Sequence, residues 1–325
     1  MGKKIFITGA NGFIGGHLAR RLASQGEEVT CLVRDPDKAA GLKAPGLTLV
    51  KGDITDKGSM RAAMKGSDAV FHLAGWYVIG NVDKTRMYAI NVSGAKNTLE
   101  LAADLGVPKI LHTSTVGVFG NTHGKIVDES YRAPKAAMRS EYELTKWMAH
   151  YEVAEPLQKQ GAPLIIIQPG GVTGAGDPAQ HALIFKMFLN RIPIMMGARS
   201  GLTLAHVDDI AEGHRLALEK GRPGEAYILA GDPLTYRQVF DVCEEITGMR
   251  GTRLWAPGWV AGFSSALVGG LEKLGVRLDF SAEMLATLND YTFWAVADKA
   301  KRELGWAPRT TEKTLQNVLA DLQKK

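Results

Sequence analysis

The sequence contains little cysteine, and this scarcity excludes two classes of stabilised domain. Its two cysteines, Cys31 and Cys243, have neither CxxC spacing nor a third cysteine partner in 325 residues. Disulfide scaffolds and zinc sites need several cysteines at short, regular spacings. We therefore expect no metal and no disulfide framework, and we expect a protein of the reducing cytoplasm.

Long apolar runs and long charged runs are also missing. The most apolar late segment, Trp259–Leu271, is broken by glycine and serine and is too short to cross a bilayer, so it predicts a buried or interfacial helix. The formal net charge of +5 is spread over isolated Lys and Arg side chains. Nucleic-acid-binding proteins usually cluster these charges. We therefore expect a small-molecule substrate, no nucleic acid and no membrane span.

The sequence does contain a regular alternation of β-branched apolar runs with amphipathic helical segments. Such alternation predicts a parallel sheet covered by helices on both faces, which is the doubly wound α/β (Rossmann) dinucleotide-binding fold. The predicted strands are Lys4–Thr8, Val29–Val33, Thr48–Lys51, Ala69–Leu73, Lys109–Thr113 and Leu164–Gln168, and the predicted helices are Phe13–Gln25, Lys57–Met64, Met87–Leu105 and Ser140–Gln160.

Beyond residue 170 this regularity weakens. The pattern predicts helices over His181–Asn190 and Thr235–Thr247, a strand and a helix within 203–220, and a strand over Glu225–Leu229. No low-complexity linker separates two tethered units. We therefore predict a dinucleotide-binding domain over residues 1–170, to which residues 203–224 return, and a smaller substrate-binding lobe made mainly of residues 171–325.

Three glycines follow the first predicted strand and open the first helix. Gly9, Gly12 and Gly15 lie in the segment TGANGFIG. Glycines permit unusual φ angles and let a pyrophosphate approach backbone N–H groups at the positive end of a helix. A tight turn without a ligand is the alternative, but the position between strand and helix favours a dinucleotide site.

The ends of the second and third strands indicate which dinucleotide is bound. Arg34 follows strand two, where the adenosine ribose would lie, and a guanidinium there pairs with the 2′-phosphate of NADP, whereas an acidic residue would select NAD. A solvated arginine neutralised by Asp35 is the alternative. Asp53, after strand three, is a candidate partner of the adenine amino group, with helix capping as its alternative.

Tyr142 and Lys146 lie four residues apart on a predicted helix, so their side chains project from one face. A nearby ammonium stabilises a phenolate and lowers the pKa of a tyrosine, which makes the pair an acid/base device. Thr113, Ser114 and Thr115 end strand five at the edge where ligands gather in open α/β sheets. An ordinary helix-face pair and a plain polar strand end are the alternatives. The joint order of glycine turn, hydroxyl strand end and YxxxK favours hydride-transfer chemistry.

Together these segments resemble the extended short-chain dehydrogenases/reductases, in the NAD-dependent epimerase/dehydratase and dihydroflavonol-reductase-like branch. The matching pieces cover nearly the whole length and are TGANGFIG, GDITD, VFHLAG, NVSGAKNTLELA, HTSTVGVFG, YELTK, QPGGVTGAGD and HVDDIA. They are specific for the superfamily and not for the substrate. One departure is Gln168, where relatives that handle sugar nucleotides often have arginine before the proline.

The resemblance implies a role for individual residues. It implies that Thr115 is the active-site hydroxyl, with Ser114 as the fallback. It implies that Tyr142 is the acid/base and that Lys146 binds the nicotinamide ribose. Asn91 is expected at a helix position that faces the site. With the strand-end argument above, the predicted cofactor-binding residues are Gly9, Gly12, Phe13, Ile14, Gly15, Arg34, Asp53, Ile54, Leu73, Ala74, Gly75, Thr113, Tyr142, Lys146, Pro169, Gly170 and Val172.

The leading functional prediction is an NADP-dependent carbonyl reductase or alcohol dehydrogenase, with NAD as a possible cofactor. Five aromatic residues are either walls for an apolar substrate or plain core: Trp76, Tyr77, Trp255, Trp259 and Phe263. The resemblance also implies a homodimer that pairs through the helices Met87–Leu105 and Ser140–Gln160.

Two other functions stay open. An NAD-dependent sugar-nucleotide epimerase or dehydratase would need a basic cluster for a diphosphate, for which Lys186, Arg191 and Arg199 are the candidates. A non-catalytic redox sensor would keep the dinucleotide fold, but it has no need of Tyr142 and Lys146.

Overall fold

The computed structural model describes residues 2–80, 82–177, 181–274, 276 and 281–323. Its strands are β1 Lys4–Thr8, β2 Glu28–Val33, β3 Leu47–Lys51, β4 Ala69–His72, β5 Ile110–Thr113, β6 Leu164–Pro169, β7 Gly171–Thr173, β8 Ile194–Met196, β9 Gly201–His206, β10 Ala226–Leu229, β11 Pro233–Thr235, β12 Leu254–Ala256 and β13 Thr292–Phe293. Its α-helices are α1 Phe13–Ser24, α2 Lys57–Met64, α3 Lys84–Tyr88, α4 Gly94–Asp104, α5 Glu141–Met148, α6 Glu155–Lys159, α7 His181–Leu189, α8 Val207–Lys220, α9 Tyr236–Thr247, α10 Gly258–Lys273, α11 Ala282–Ala286, α12 Asp298–Leu304 and α13 Thr311–Gln323.

Seven strands of the described chain form one parallel sheet, in the order β10-β6-β5-β4-β1-β2-β3. This order confirms the predicted doubly wound fold, and all six predicted strands lie in the sheet within one residue of their predicted ends. The chain reverses direction across the sheet between β1 and β4, and ligands of such folds bind at this switch point, beyond the carboxyl ends of the strands.

The seventh strand, β10, lies outside the six that the sequence pattern assigned to the sheet. It pairs in parallel with β6, with Ala226 opposite Ile166. The preceding helix α8 packs on α1, where Arg21 contacts Glu212 at 3.1 Å. The pattern predicted the strand and not its place, because the pairing joins segments that are far apart in the sequence.

The two long helices of the prediction, Met87–Leu105 and Ser140–Gln160, each contain a π-helical turn. These turns span Ala89–Ser93, between α3 and α4, and Ala149–Ala154, between α5 and α6. A π turn adds a residue to the helix and therefore rotates the following side chains, and such turns are frequent at functional sites. Asn91 lies in the first turn and His150 in the second.

A smaller set of elements follows the parallel sheet and has its own core. Strand β9 pairs with β11, β13 and β7, and β12 pairs with β8. The apolar cluster between these strands and the nearby helices includes Phe185, Phe188, Phe240 and Leu315. None of the helices in the described part of the chain combines the length and the apolar character needed to cross a membrane.

Candidate active site

The candidate site forms where α5 meets the carboxyl end of β5. Ser140 caps this helix, and its Oγ accepts a hydrogen bond from the Glu143 N–H at 3.1 Å. Tyr142, Lys146 and His150 then follow at intervals of four residues, so they share one helix face. Each of the three contacts a residue at the end of β5, and the face therefore presents a row of ionisable groups to the edge of the sheet.

Lys146 forms the centre of this row. Its Nζ donates a hydrogen bond to the Thr113 carbonyl oxygen at 2.7 Å, and its side chain is 7% exposed. Burial lowers the pKa of Lys146 from its ordinary 10.5 to about 8. The group is therefore mostly charged at neutral pH and loses its proton in mild alkali.

Tyr142 lies beside Thr115 and Tyr77. Its phenol hydrogen-bonds to Thr115, and its ring meets that of Tyr77 edge to face, with centroids 4.7 Å apart. Burial raises the pKa of Tyr142 above its ordinary value, Tyr77 adds to the rise, and the hydrogen bond to Thr115 opposes it. The expectation that Lys146 lowers this pKa was wrong for the protein alone, because burial dominates. Tyr142 is therefore protonated at neutral pH.

The three hydroxyl groups at the end of β5 have different partners. Thr113 Oγ1 hydrogen-bonds to His214 Nε2 at 3.0 Å, and Ser114 Oγ hydrogen-bonds to His150 Nδ1 at 2.8 Å. Thr115 Oγ1 accepts from the Gly117 N–H at 3.1 Å and reaches Tyr142. Among these hydroxyls, Thr115 is the one placed beside the phenol, whereas the fallback Ser114 is engaged by His150.

Asn91 ties the segment before Tyr77 to α5. Its Oδ1 accepts from the Trp76 N–H at 2.6 Å, and its Nδ2 donates to the Trp76 carbonyl at 3.1 Å and to Thr145 Oγ1 at 3.0 Å. These bonds hold the chain of Gly75 and Tyr77 against the helix that carries Tyr142. The predicted position of Asn91, facing the site, agrees with these contacts.

The glycine turn has the close packing that a pyrophosphate cradle requires. Gly9 has φ +78°, and a Cβ there would lie 2.5 Å from the Ala74 nitrogen, while a Cβ on Gly15 would lie 2.2 Å from the Gly9 oxygen. Gly12 precedes α1 without a side-chain cap, and the first turn, Phe13 to Gly15, contains no acidic residue. The N–H groups at this helix end therefore suit the phosphates of a dinucleotide.

Arg34 is exposed and has no hydrogen bond or ion pair within the described chain. Asp35, its sequence neighbour, instead pairs with Lys38 at 3.4 Å and accepts the backbone N–H groups of Asp37 and Lys38. Asp35 therefore does not pair with Arg34 in the described chain, and the choice between a solvated arginine and a ligand of a 2′-phosphate stays open. The guanidinium remains available for an anionic ligand.

Asp53 and Ile54 follow β3 toward the same edge of the sheet. Asp53 Oδ1 accepts from the backbone N–H and the hydroxyl of Thr55, both at 2.9 Å. The residue that caps α2 is Asp56, so the capping alternative for Asp53 was wrong. Ile54 is buried and would contact a Cβ placed on Gly94 at 2.5 Å.

The remaining predicted cofactor residues lie at the carboxyl ends of β4 and β6. The N–H groups of Leu73 and Ala74 donate to the backbone oxygen and the hydroxyl of Thr8, at 3.1 and 3.4 Å. Pro169 ends β6, Gly170 N–H donates to the Leu229 carbonyl at 2.9 Å, and Val172 lies in β7. The structure thus brings the predicted set to one edge of the sheet.

The predicted aromatic wall is only partly present. Tyr77 contacts Tyr142, and Trp76 lies beneath the Arg86 guanidinium at 4.9 Å. Trp255 packs on Phe240 in the core of the smaller set of elements, at 5.4 Å between ring centroids. Trp259 and Phe263 are exposed on α10, so they form neither core nor an enclosed wall.

The three basic candidates for a diphosphate site do not converge. Arg199 forms an ion pair with Asp290 at 2.5 Å. Arg191 and Lys186 line two different cavities, and Lys186 shares its cavity with Asp321.

Two further residues connect the site to its surroundings, and sequence reasoning missed both roles. His150 binds Ser114 and lies 3.7 Å from Glu155. Glu143 is buried, accepts a hydrogen bond from the Tyr291 hydroxyl at 3.0 Å, and has its pKa raised by burial. The spacing of four residues from Tyr142 to Lys146 to His150 could have indicated that His150 shares their helix face. No local pattern could have indicated that Glu143 is bound by Tyr291, which is far away in the sequence.

Comparisons with known proteins agree with this geometry. The model of the NAD dependent epimerase/dehydratase family matches residues 5–230, which include the glycine turn, the end of β5 and the Tyr142–Lys146 helix. The chain belongs to this family. It is therefore an oxidoreductase-family protein of the extended short-chain dehydrogenase/reductase superfamily.

Family members with reductase names are among its relatives. The chain is 32% identical over 263 residues, 78% of its length and 76% of the relative's, to a Synechocystis sp. protein provisionally named dihydroflavonol 4-reductase. It is 29% identical over 320 residues, 95% of its length and 93% of the relative's, to a Stigmatella aurantiaca ketoreductase of 4-hydroxy-2-methyl-3-oxo-4-farnesyl-3,4-dihydroquinoline-1-oxide. The crystal structure of gox2253 superposes with a TM-score of 0.83 at 30% identity, covering 99% of this chain and 98% of that one.

Proposed function

We propose that this family member reduces a ketone or aldehyde on a largely apolar substrate with NADPH, and that it also catalyses the reverse alcohol oxidation. The observation that carries the proposal is the half-buried Tyr142, whose raised pKa keeps it protonated at neutral pH, beside the Thr115 hydroxyl and with Lys146 one turn further along. Carbonyl reduction needs a proton donor at the oxygen where negative charge develops. A tyrosine whose pKa is raised by burial is in the donor form at neutral pH.

In this mechanism NADPH held along the glycine turn would supply a hydride to the carbonyl carbon of the substrate. Thr115 donates a hydrogen bond to the substrate carbonyl oxygen and orients it toward Tyr142. The Tyr142 phenol transfers its proton to that oxygen, so the C=O double bond becomes C–OH and Tyr142 becomes a phenolate. Lys146, held by the Thr113 carbonyl, stabilises the phenolate with its ammonium charge and has further N–H groups for the nicotinamide ribose.

We assign the cofactor to the predicted residues at the carboxyl edge of the sheet. Residues 1–170 with 203–224 would hold it, and residues 171–325 would mainly cover the substrate. Arg34 supports NADP over NAD, because its guanidinium is exposed and unpaired within the described chain, where it would pair with a 2′-phosphate. Asp53 would meet the adenine.

Two observations support a carbonyl substrate of apolar character over a sugar nucleotide. Tyr77 lies edge to face against Tyr142, so an aromatic ring stands beside the phenol. Arg199, Arg191 and Lys186 do not form one anion site. The Stigmatella relative, by its name, acts on a farnesylated ketone, which is consistent with an apolar substrate.

A cofactor titration tests this proposal. Intrinsic fluorescence of the purified, cofactor-stripped protein is followed with NADPH and with NADH, for the wild type, Arg34→Ala and Lys38→Ala. A lost charge-assisted hydrogen bond is worth about 1.5–3 kcal/mol, so we expect NADPH to bind roughly tenfold or more tighter than NADH, and Arg34→Ala to erase this difference. Lys38→Ala, which removes a neighbouring exposed charge, should preserve it.

The opposite result would support the alternative. If NAD copurifies tightly and Arg34→Ala changes neither affinity, the NADP assignment is wrong and an NAD-dependent epimerase or dehydratase becomes the better proposal. Retention of the dinucleotide without turnover of any carbonyl or sugar nucleotide would favour the redox sensor.

We also propose a cytoplasmic homodimer that pairs through the helical segments Met87–Leu105 and Ser140–Gln160. Sedimentation equilibrium at micromolar concentration tests the assembly. A dimer mass is expected, and a monomer mass would contradict it.

A further inference from the structure

Helix α10 presents a row of large apolar side chains to solvent. Trp259, Phe263, Leu267 and Leu274 are 71%, 66%, 57% and 81% exposed. They are spaced by four, four and seven residues, so they lie along one side of the helix and its C-cap. Single exposed apolar residues are ordinary, but a continuous row of this size marks an interaction surface.

The opposite side of α10 is already occupied. Ala261 and Val268 are buried, and Ser265 Oγ donates to the Ala282 carbonyl of α11 at 2.8 Å. The segment from Leu254 to Leu271 contains no charged residue. The exposed row is therefore a second apolar face of the helix, on the side away from its contacts with the rest of the described chain.

A cationic cavity adjoins the start of this segment. Its volume is about 810 Å³, and Arg191, Arg250 and Arg253 line it together with Leu254. None of these three guanidinium groups forms an ion pair or hydrogen bond within the described chain, whereas Arg199, like several other arginines, is paired with a carboxylate. No Asp or Glu occurs between Met249 and Leu271.

Strand β12 joins the two features. Leu254, which lines the arginine cavity, is 62% exposed, and its pairing partner Ile194 on β8 is 56% exposed. The chain then passes through Pro257 directly into α10. Apolar surface thus continues from the arginine cavity to Trp259. We name the whole set, Arg191, Ile194, Arg250, Arg253, Leu254, Trp259, Phe263, Leu267 and Leu274, the α10 face.

We propose that the α10 face docks on the surface of an anionic lipid bilayer. Trp259 and Phe263 enter the boundary between headgroups and acyl chains, and the three arginines bind lipid phosphates. A bilayer supplies apolar contact and negative charge together, which this face needs. A second copy of the chain supplies no carboxylate from the equivalent segment, and it would bring two clusters of unpaired guanidinium groups into one interface.

The packed side of α10, opposite the exposed row, is connected to the candidate site through α11. Helix α10 packs on α11, and Glu283 of α11 accepts a hydrogen bond from the Gly80 N–H at 3.0 Å. Gly80 follows Tyr77, whose ring lies against Tyr142. Docking through the exposed row does not rest on the proposed function.

Co-sedimentation with lipid vesicles tests the proposal. We compare vesicles of phosphatidylcholine alone with vesicles that also contain phosphatidylglycerol, using the wild type, Trp259→Gln/Phe263→Gln and Arg250→Ala/Arg253→Ala. The wild type should bind the mixed vesicles with a blue shift of tryptophan emission and should release them at high salt. Each double variant should bind at least about tenfold more weakly, since each cation near an anionic surface and each inserted aromatic contributes to binding.

Matched controls separate this surface from general charge and hydrophobicity. Arg61→Ala/Lys65→Ala removes the same charge from α2, and Ile126→Gln removes an exposed apolar side chain elsewhere; both should bind like the wild type. The α10-face variants should bind NADPH with the affinity of the wild type. The two measurements therefore distinguish a failure of the docking proposal from a failure of the proposed cofactor assignment.

Three outcomes would overturn the proposal. They are no binding of the wild type to the mixed vesicles, binding that neither double variant weakens, and conversion of a dimer to a monomer by Trp259→Gln/Phe263→Gln. The last result would assign the face to a second copy of the chain.

Discussion

At the residue scale, three consecutive hydroxyls differ in their partners. Successive side chains of a strand point to opposite faces, so Thr113 and Ser114 separate toward His214 and His150. Thr115 lies beyond the strand and meets Tyr142. The sequence located the triplet correctly at the strand end, but the choice among its members depends on partners from other helices, which no local pattern contains.

Substitutions of Thr115 and Ser114 test which of the two is the active-site hydroxyl. Thr115→Val keeps the side-chain volume and removes the hydrogen bond that orients the carbonyl, so we expect kcat to fall by about 100-fold, as for other lost donors to a developing oxyanion. Ser114→Ala removes a buried bond to His150 and should cost about 1 kcal/mol of stability while kcat stays within a few-fold. Steady-state kinetics with NADPH and urea unfolding measure the two effects. A larger kcat loss in Ser114→Ala would reverse the assignment.

The pKa of Lys146 gives a second prediction at this scale. Burial lowers this pKa to about 8, so the ammonium is present below that pH and is lost above it. In the proposed mechanism this charge stabilises the Tyr142 phenolate, so kcat/KM for carbonyl reduction should be constant toward neutral pH and should decrease as pH rises through about 8. A profile measured from pH 6 to pH 10 checks this. Activity that is unchanged to pH 10 would contradict the role of Lys146.

At the element scale, the strands were predictable and the helix interruptions were not. Central strands of a parallel sheet are buried on both faces, so their apolar runs stand out from the polar turns around them. The π turns at Asn91 and His150 leave no such pattern, because the side-chain contacts that stabilise them, to Trp76 and Ser114, come from other elements. Strand β10 was visible as a strand, but its pairing with β6 is a long-range contact.

The central strands also bury histidines. His72 of β4 stacks on His112 of β5 with ring centroids 5.4 Å apart, and both ring nitrogens of His112 lack a hydrogen-bond partner within the described chain. Burial lowers the pKa of His72 to about 3 and that of His214 to about 4, and it lowers the pKa of His112 as well. These imidazoles are therefore neutral in the folded protein.

Acid should consequently destabilise the fold. In the folded protein the pKa values of His72 and His214 lie below the ordinary 6.5. Between these folded values and pH 6.5 the unfolded chain therefore binds more protons than the folded protein. The free energy of unfolding is consequently highest above about pH 6.5 and decreases as the pH falls toward 4 and 3. Each histidine contributes up to about 1.4 kcal/mol per pH unit in this range. Urea unfolding between pH 7.5 and pH 5 should show this slope, and His112→Phe should reduce it. An equal slope in both proteins would contradict the account.

At the scale of the whole molecule, the elements of the dinucleotide-binding part could be predicted from the sequence, whereas the contacts of the smaller set of elements could not. The glycine turn, the strand ends and the Tyr142–Lys146 pair are local patterns, so their shared position at one sheet edge followed from topology alone. The smaller set of elements reaches the site through contacts such as Tyr291 with Glu143, which join residues 148 positions apart. Of the aromatic residues predicted there as wall or core, Trp255 packs on the core, whereas Trp259 and Phe263 lie on the surface.

The most direct test of the central claim is NADPH oxidation, followed by absorbance, when apolar ketones are added to the wild type and to Tyr142→Phe. Loss of a general acid typically costs 10²–10⁴-fold, so we expect turnover in the wild type, a loss of about that size in Tyr142→Phe, and unchanged NADPH affinity in both. Tyr88→Phe, the same change on an exposed tyrosine, should leave turnover intact. Equal turnover in Tyr142→Phe, or interconversion of a sugar nucleotide on retained NAD with no ketone reduced, would contradict the account.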